Sequence, residues 1–436
     1  MKPVPNDRAA FDALCSQCGV TLPWEASFAP LAAPIALGGK TAPNRVVYQA
    51  MEGCDGTTAG HPSEETMRRY RRFAAGGPGI IWFEATAVLP EARANPRQLY
   101  LNDDTADAFA RACEEIKSLC LKENGYEPLV VIQLTHSGRY SKPNGSPEPL
   151  IAGNKPVYEK DRPIDPTRIV SDDYLDRVGE KLVAAAKQAA GLGFDGADIK
   201  SCHGYLLSEL LAAHTRPGRY GGSFENRTRL LRESVAGARA ACDRSFLLTS
   251  RMNAYDGFPY PWGFGVTPES GLTPDWTEAT RLAGLLREAG LDFLNITMGN
   301  PYVNPHVNRP FARGGYEPEE AAICGVERML KGTAVIAAAN PDLPVICSGL
   351  SYLGAASPAV ASACVADGWF AMAGWGRETL AYPDLARDVC AGTWQTGRQC
   401  IACGKCSEIM RAGGQPGCVV RDGEKFLPLY RQYVQK

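Results

Sequence analysis

Gly191-Leu192-Gly193-Phe194-Asp195-Gly196 matches the G-x-G-x-x-G spacing of a dinucleotide-binding turn. A turn of that kind leaves a strand and opens a helix, so that the helix N-terminus faces the phosphate. Here the order is reversed. Residues 172–190 carry a helical pattern, with Ser171 placed to cap the first turn and Asp172 and Asp173 suited to its dipole. Residues 194–202 read as a strand. The glycines therefore join a helix to a strand and bind no dinucleotide.

Working outward from this joint, the same unit recurs along the chain. Short apolar, β-branched runs occupy 45–51, 79–88, 129–136, 194–202, 246–253, 293–299, 344–349 and 369–374. Nearly continuous apolar runs suit strands buried on both faces. Helical patterns with charged outer positions fill the intervals at 64–75, 106–122, 172–190, 227–242, 276–289, 319–339 and 358–366, and another follows at 379–391. Eight β–α units in succession predict an α/β fold of the (β/α)8 TIM-barrel kind. A doubly wound open sheet is the alternative, and the regularity of the units favours closure. The expected division is an N-terminal extension over 1–40, a barrel over 41–395 and a C-terminal segment over 396–436. Irregular stretches at 137–170, 211–225 and 300–317 belong to the returns from strands three, four and six, where barrels build their active sites.

The C-terminal segment holds Cys400, Cys403, Cys406 and Cys418. The first three can face one point from a short loop, and Cys418 returns after a detour through Gly413, Gly414 and Gly417. Four converging thiolates suit a [4Fe–4S] cluster. Structural zinc is the rival, but it usually takes two separated C-x-x-C knuckles. A cluster moves single electrons, so the expectation is a redox enzyme. Cys15-x-x-Cys18 lacks two matching partners nearby and reads as incidental or weakly redox-active.

Net charge is −2 with both signs mixed, which gives no sign of nucleic acid or an anionic membrane as partner. No run reaches bilayer length, and residues 1–28 lack the apolar core of a secretory leader. Fifteen cysteines without an export signal lead to the expectation of a reducing, cytoplasmic location.

Several longer motifs are distinctive together. They are Asn44-Arg45-Val46-Val47-Tyr48-Gln49-Ala50-Met51, Gly76-Gly77-Pro78-Gly79-Ile80-Ile81-Trp82-Phe83-Glu84 and Gln133-Leu134-Thr135-His136-Ser137-Gly138-Arg139. His203-Gly204-Tyr205-Leu206-Leu207, Tyr220-Gly221-Gly222-Ser223-Phe224-Glu225-Asn226-Arg227 and Gly376-Arg377 complete the set. From about Asn44 to Cys418 the chain resembles the old yellow enzyme family of FMN-dependent reductases. With the cysteines added, it resembles the iron–sulfur branch containing 2,4-dienoyl-CoA reductase and trimethylamine dehydrogenase.

The resemblance implies FMN across the barrel mouth. The backbone at Ala50 and Met51 would flank the flavin ring, Gln133 would bond its pyrimidine edge, and Arg251 would stand near N1 and O2. The phosphate would rest near Gly349, Gly374 and Gly376 with Arg377 as its charged partner, in keeping with the phosphate sites of barrels after strands seven and eight. Glu52 would stand near the C4a–N5 edge. On the substrate side, Lys200 and His203 take the two places that hold a carbonyl oxygen in the family. Lys200 departs from the family pattern. It would bind a carbonyl or carboxylate, stabilise reduced flavin, or serve structure alone through a carboxylate such as Asp198. Tyr205 matches the proposed proton donor of the dienoyl-CoA reductase branch, with Tyr302 a second candidate acid and His306 a weaker one. His61 and His214 read as structural or surface residues.

The expected activity is reduction of an activated C=C bond in an enone, enoate or enoyl thioester, with hydride from FMN and a proton from Tyr205. Amine-type oxidative dehydrogenation, or an electron-transfer subunit without its own substrate, are the alternatives. The relatives continue into FAD- and NAD(P)-binding domains, whereas this sequence stops soon after Cys418. A ferredoxin, flavodoxin or separate reductase subunit is therefore the expected electron donor, with NAD(P)H as the rival external reductant.

Overall fold

The computed structural model describes residues 4–160, 162–311 and 316–435. A hairpin of β1 (Ile35–Leu37) and β2 (Lys40–Ala42) precedes eight parallel strands. These are β3 (Val46–Tyr48), β4 (Ile80–Ala87), β5 (Leu129–Thr135), β6 (Gly196–Ile199), β7 (Leu247–Asn253), β8 (Phe293–Thr297), β9 (Val345–Cys347) and β10 (Met372–Trp375). They pair in sequence order, and β10 closes on β3 to complete the barrel. The open-sheet alternative is excluded by that last pairing. Every residue of these eight strands is buried, as runs covered inside and outside must be.

The Gly191–Gly196 stretch is a helix-to-strand joint. The helix Asp172–Gly191 starts at Ser171, whose side chain accepts the amide of Tyr174, and Gly193 sits at φ +87°. Gly196 opens β6, and a Cβ there would come within 2.6 Å of the Leu247 carbonyl. This glycine serves close strand pairing.

Two features depart from the sequence pattern. The expected helix over 379–391 is two short helices, Arg377–Ala381 and Leu385–Cys390. Pro383 lies between them and cannot supply an amide hydrogen. The hairpin β1–β2 lies across the boundary drawn at residue 40, and its Leu37 and Ala42 pack with Ile80, Trp82, Leu129 and Phe293 at the barrel's N-terminal end. Among the described residues no helix is long and apolar enough to cross a membrane.

The C-terminal segment adds helices Lys405–Arg411 and Gly423–Val434, which share a small core of Ile409, Val419, Phe426 and Tyr430. It is tied to the first barrel helix, Glu64–Ala75, by Asp422, which accepts from Arg68 at 2.9 Å and from Arg72 at 2.5 Å. The cysteines are thereby carried to the C-terminal mouth of the barrel.

Candidate active site

A single cavity at that mouth gathers the residues singled out from sequence. Ala50, Met51 and Glu52 leave β3, Gln133 stands on β5, and Lys200, His203 and Tyr205 follow β6. Arg251 stands on β7, Tyr302 follows β8, Gly349 follows β9, and Gly376 and Arg377 follow β10. Gly374 does not line the cavity. A Cβ there would lie 2.1 Å from Gln49 Nε2, so this glycine makes room for Gln49, whose amide pairs with that of Asn295 at 2.8 and 3.1 Å. His306 is also outside the lining and contacts the Tyr316 hydroxyl.

Asp198 organises the cavity floor. Its carboxylate accepts from Gln133 Nε2 at 2.6 Å, Trp82 Nε1 at 2.8 Å and the Arg251 amide at 2.7 Å. Burial raises its pKa and these donors oppose the rise. The amide of Gln133 is fixed by this contact. Arg251 Nη1 donates to the Ala50 carbonyl at 3.3 Å, while its buried Nε has no partner. An orphaned guanidinium N–H beside a fixed amide suits an electron-rich heterocycle edge, and so fits the pyrimidine side of a flavin.

The opposite side is chemically loaded. Lys200 is buried, and its Nζ forms no ion pair or hydrogen bond among the described residues. Its Nζ lies 3.8 Å from the centroid of the Tyr205 ring, a cation–π contact in place of the bond to Asp198 that a structural lysine would make. Burial lowers its pKa, with Cys202 and Glu52 opposing. His203 sits at φ +68°, a conformation that costs a non-glycine residue about 1–3 kcal/mol and that clusters at functional sites. Burial, then Arg251 and Lys200, hold its pKa well below the ordinary value, so the ring is neutral, and its Nε2 is buried without a partner.

Tyr205 and Tyr302 share a hydroxyl contact at 3.0 Å, and Tyr205 also donates to Glu52 Oε2 at 3.3 Å. Glu52 Oε1 accepts from Asn95 at 2.5 Å, and burial raises the carboxyl pKa. Burial and then Glu52 push the Tyr205 phenol well above 10, so it stays protonated at neutral pH. Tyr302 is 41% exposed overall, although its hydroxyl points inward to Tyr205. Tyr140 stacks on Tyr302 at 3.8 Å between centroids and is held by Asn300 at 2.8 Å.

Cys400, Cys403, Cys406 and Cys418 line one small second cavity, walled also by Arg377 and Leu380. Cys406, Arg377 and Leu380 line both cavities, so the two share a wall. Cys400 Sγ accepts the Ala402 amide at 3.4 Å, with Ala402 at φ +51°, and Cys418 Sγ accepts the Arg421 amide at 3.3 Å. Amides aimed at sulfur favour thiolates and fit cluster ligands. Among the described residues no three His, Cys, Asp or Glu side chains close around a single metal ion.

Other lining residues escaped the sequence reading. Arg69 spans Asp55 on the loop after β3 and Glu84 on β4, where the register slips between Phe83 and Ala85. The signal was an arginine on the buried stripe of Thr66, Met67, Tyr70 and Phe73. Arg309 and Ser351 carry no local pattern at all and reach the cavity only through the fold.

Residues 30–260 match the NADH:flavin oxidoreductase / NADH oxidase family. The chain belongs to that family. The family is one of flavin oxidoreductases, and FMN is the flavin that it supports. An NADH oxidase from Thermoanaerobacter brockii is 26% identical over 379 residues, 84% of this chain and 52% of the relative. The structure of 2-naphthoyl-CoA reductase with 2-naphthoyl-CoA superposes with a TM-score of 0.74 at 21% identity, covering 90% of this chain and 57% of that one. The 6-hydroxypseudooxynicotine amine oxidase of Pseudomonas geniculata N1 superposes at 0.70 and 20% identity, covering 91% and 54%. These two likenesses show the fold. The chain spans 66%, 63% and 52% of the length of three curated relatives.

Proposed function

We propose that this chain is an FMN- and [4Fe–4S]-dependent oxidoreductase that reduces an activated C=C bond in an enone, enoate or enoyl thioester. The observation that carries the reading is the buried Lys200 Nζ, without an ion pair, set against a protonated phenol pair, Tyr205 and Tyr302, in one cavity. Bound FMN supplies hydride to carbon. Lys200 and the neutral His203 polarise the substrate carbonyl or carboxylate, which makes the β-carbon electrophilic. The Tyr205 hydroxyl protonates the adjacent carbon, and Tyr302 restores that proton from the solvent side. Gln133 and Arg251 would hold the flavin's pyrimidine edge, and the backbone at Ala50 and Met51 would flank its ring. The four cysteines, which line a cavity sharing a wall with the main one, would hold the cluster.

The proposed electron donor is a ferredoxin, flavodoxin or reductase subunit, with NAD(P)H as the rival. Amine oxidation is the second reading, favoured by the stacked Tyr140 and Tyr302 rings near Glu52, which would suit a cation. Lys200 already occupies the face of Tyr205 and would repel an ammonium substrate. Anaerobic reduction of the protein with dithionite, followed by a screen of enones, enoates, enoyl thioesters and amines, separates the readings. Flavin reoxidation by an unsaturated acceptor is expected. Flavin reduction by an amine, with no acceptor active, would replace this reading with the second.

A further inference from the structure

Two arginines converge at one end of the main cavity. Arg309 comes from the loop after β8 and Arg377 directly follows β10, and both line the cavity with Gly349, Ser351 and Gly376. Arg377 Nη2 donates to the Pro310 carbonyl at 3.4 Å, which ties the two loops at that point. Among the described residues neither of these half-buried guanidinium groups forms an ion pair, whereas three buried arginines elsewhere do. Arg69 has Asp55 and Glu84, Arg139 has Glu159 and Glu209, and Arg227 has Glu278. Burial, then Arg377 and Arg411, press the Arg309 pKa down to about 10. Like charges drawn together at a cavity wall cost free energy unless an anion joins them.

We propose that Arg309 is a second arginine of the FMN phosphate seat, acting with Arg377 on the phosphate dianion. The inference rests on the flavin-binding reading and adds a residue to it. A phosphate dianion offers several strong acceptor oxygens, and guanidinium forks arriving from two separate loops can take different ones. The glycines serve the same end. A Cβ on Gly376 would come 3.3 Å from Met51 Sδ, another cavity-lining residue, so a side chain there would crowd the cavity wall.

The test uses the full chain, cluster-loaded, stripped of flavin and titrated anaerobically with FMN and with riboflavin, following flavin fluorescence. Wild type should prefer FMN strongly. Arg309→Ala should lower the ratio of FMN to riboflavin affinity by about 10- to 100-fold, the scale of one charge-assisted contact, with riboflavin affinity held. Arg309→Lys should recover part of the ratio. If Arg309→Ala does not fold, the lysine variant alone decides, since a lost fork must still shift the ratio. An unchanged ratio overturns the inference, as does an equal loss for both flavins. An unchanged ratio with weakened binding of an anionic substrate would assign Arg309 to the substrate side and also overturn it. A wild type that binds neither flavin, or binds both alike, would instead overturn the flavin reading itself.

Discussion

Two side chains in the cavity make separable demands. Tyr205 is held by Glu52 and Tyr302, and its elevated pKa keeps the proton on the phenol throughout the neutral range. Tyr205→Phe keeps the ring under Lys200 but removes the acid. Protonation of the acceptor should slow by about 10²–10⁴-fold while flavin reduction is nearly unchanged, as rapid mixing of each half-reaction would show. A wild-type rate of acceptor reduction would pass the acid role to Tyr302. Lys200→Met keeps the aliphatic stem and removes the charge. Affinity for carbonyl or anionic ligands should fall by about 2–3 kcal/mol, measured as perturbation of the flavin spectrum on titration. If the flavin potential falls instead and ligand affinity holds, Lys200 serves the flavin.

At the scale of elements, His136 locks the end of β5 to the helix Asp172–Gly191. Its Nδ1 accepts the Gly138 amide at 3.0 Å, and its Nε2 meets the Tyr174 hydroxyl at 2.8 Å. Burial pushes its pKa down to about 3. The folded value lies below the unfolded 6.5, so its contribution is full above pH 6.5 and is lost as pH falls toward about 3. The loss approaches about 1.4 kcal/mol per pH unit within that window. Urea unfolding of wild type should weaken between pH 6.5 and 4.5, and His136→Gln should show a flatter profile. Identical slopes would remove His136 from the account. The strands were legible at this scale because each is covered on both sides and so must be apolar throughout. The long helices were legible through their one-sided patterns, and Ser171 through its cap. The hairpin β1–β2 was not, since strands of three residues carry too little alternation to read. Gly374 was read as a cofactor contact, yet what it accommodates is Gln49, a neighbour brought close by strand pairing alone. Arg309 was invisible because only the folding of the loop after β8, and no local pattern, brings it to the cavity.

The whole molecule places a cysteine-lined cavity and the main cleft at the barrel mouth on either side of Cys406, Arg377 and Leu380. The cysteine segment has its own small core and grips the barrel through Asp422 and the arginines of one helix. Cys403→Ala should therefore remove the iron, about four atoms per chain in wild type, and leave barrel folding and flavin binding largely intact. A wild-type chain with one zinc and no iron would end the cluster assignment. The same variant decides how electrons reach the flavin. If they pass through the cluster, dithionite-reduced ferredoxin should bleach wild-type flavin in stopped-flow mixing and fail with Cys403→Ala. NADH and NADPH should then act slowly on both proteins without a partner. Rapid bleaching by either nicotinamide, kept in the cluster-less variant, would show that hydride enters at the barrel mouth. Lys200, on the substrate side of the flavin, would then face the nicotinamide donor, and the cluster would be left with a different task.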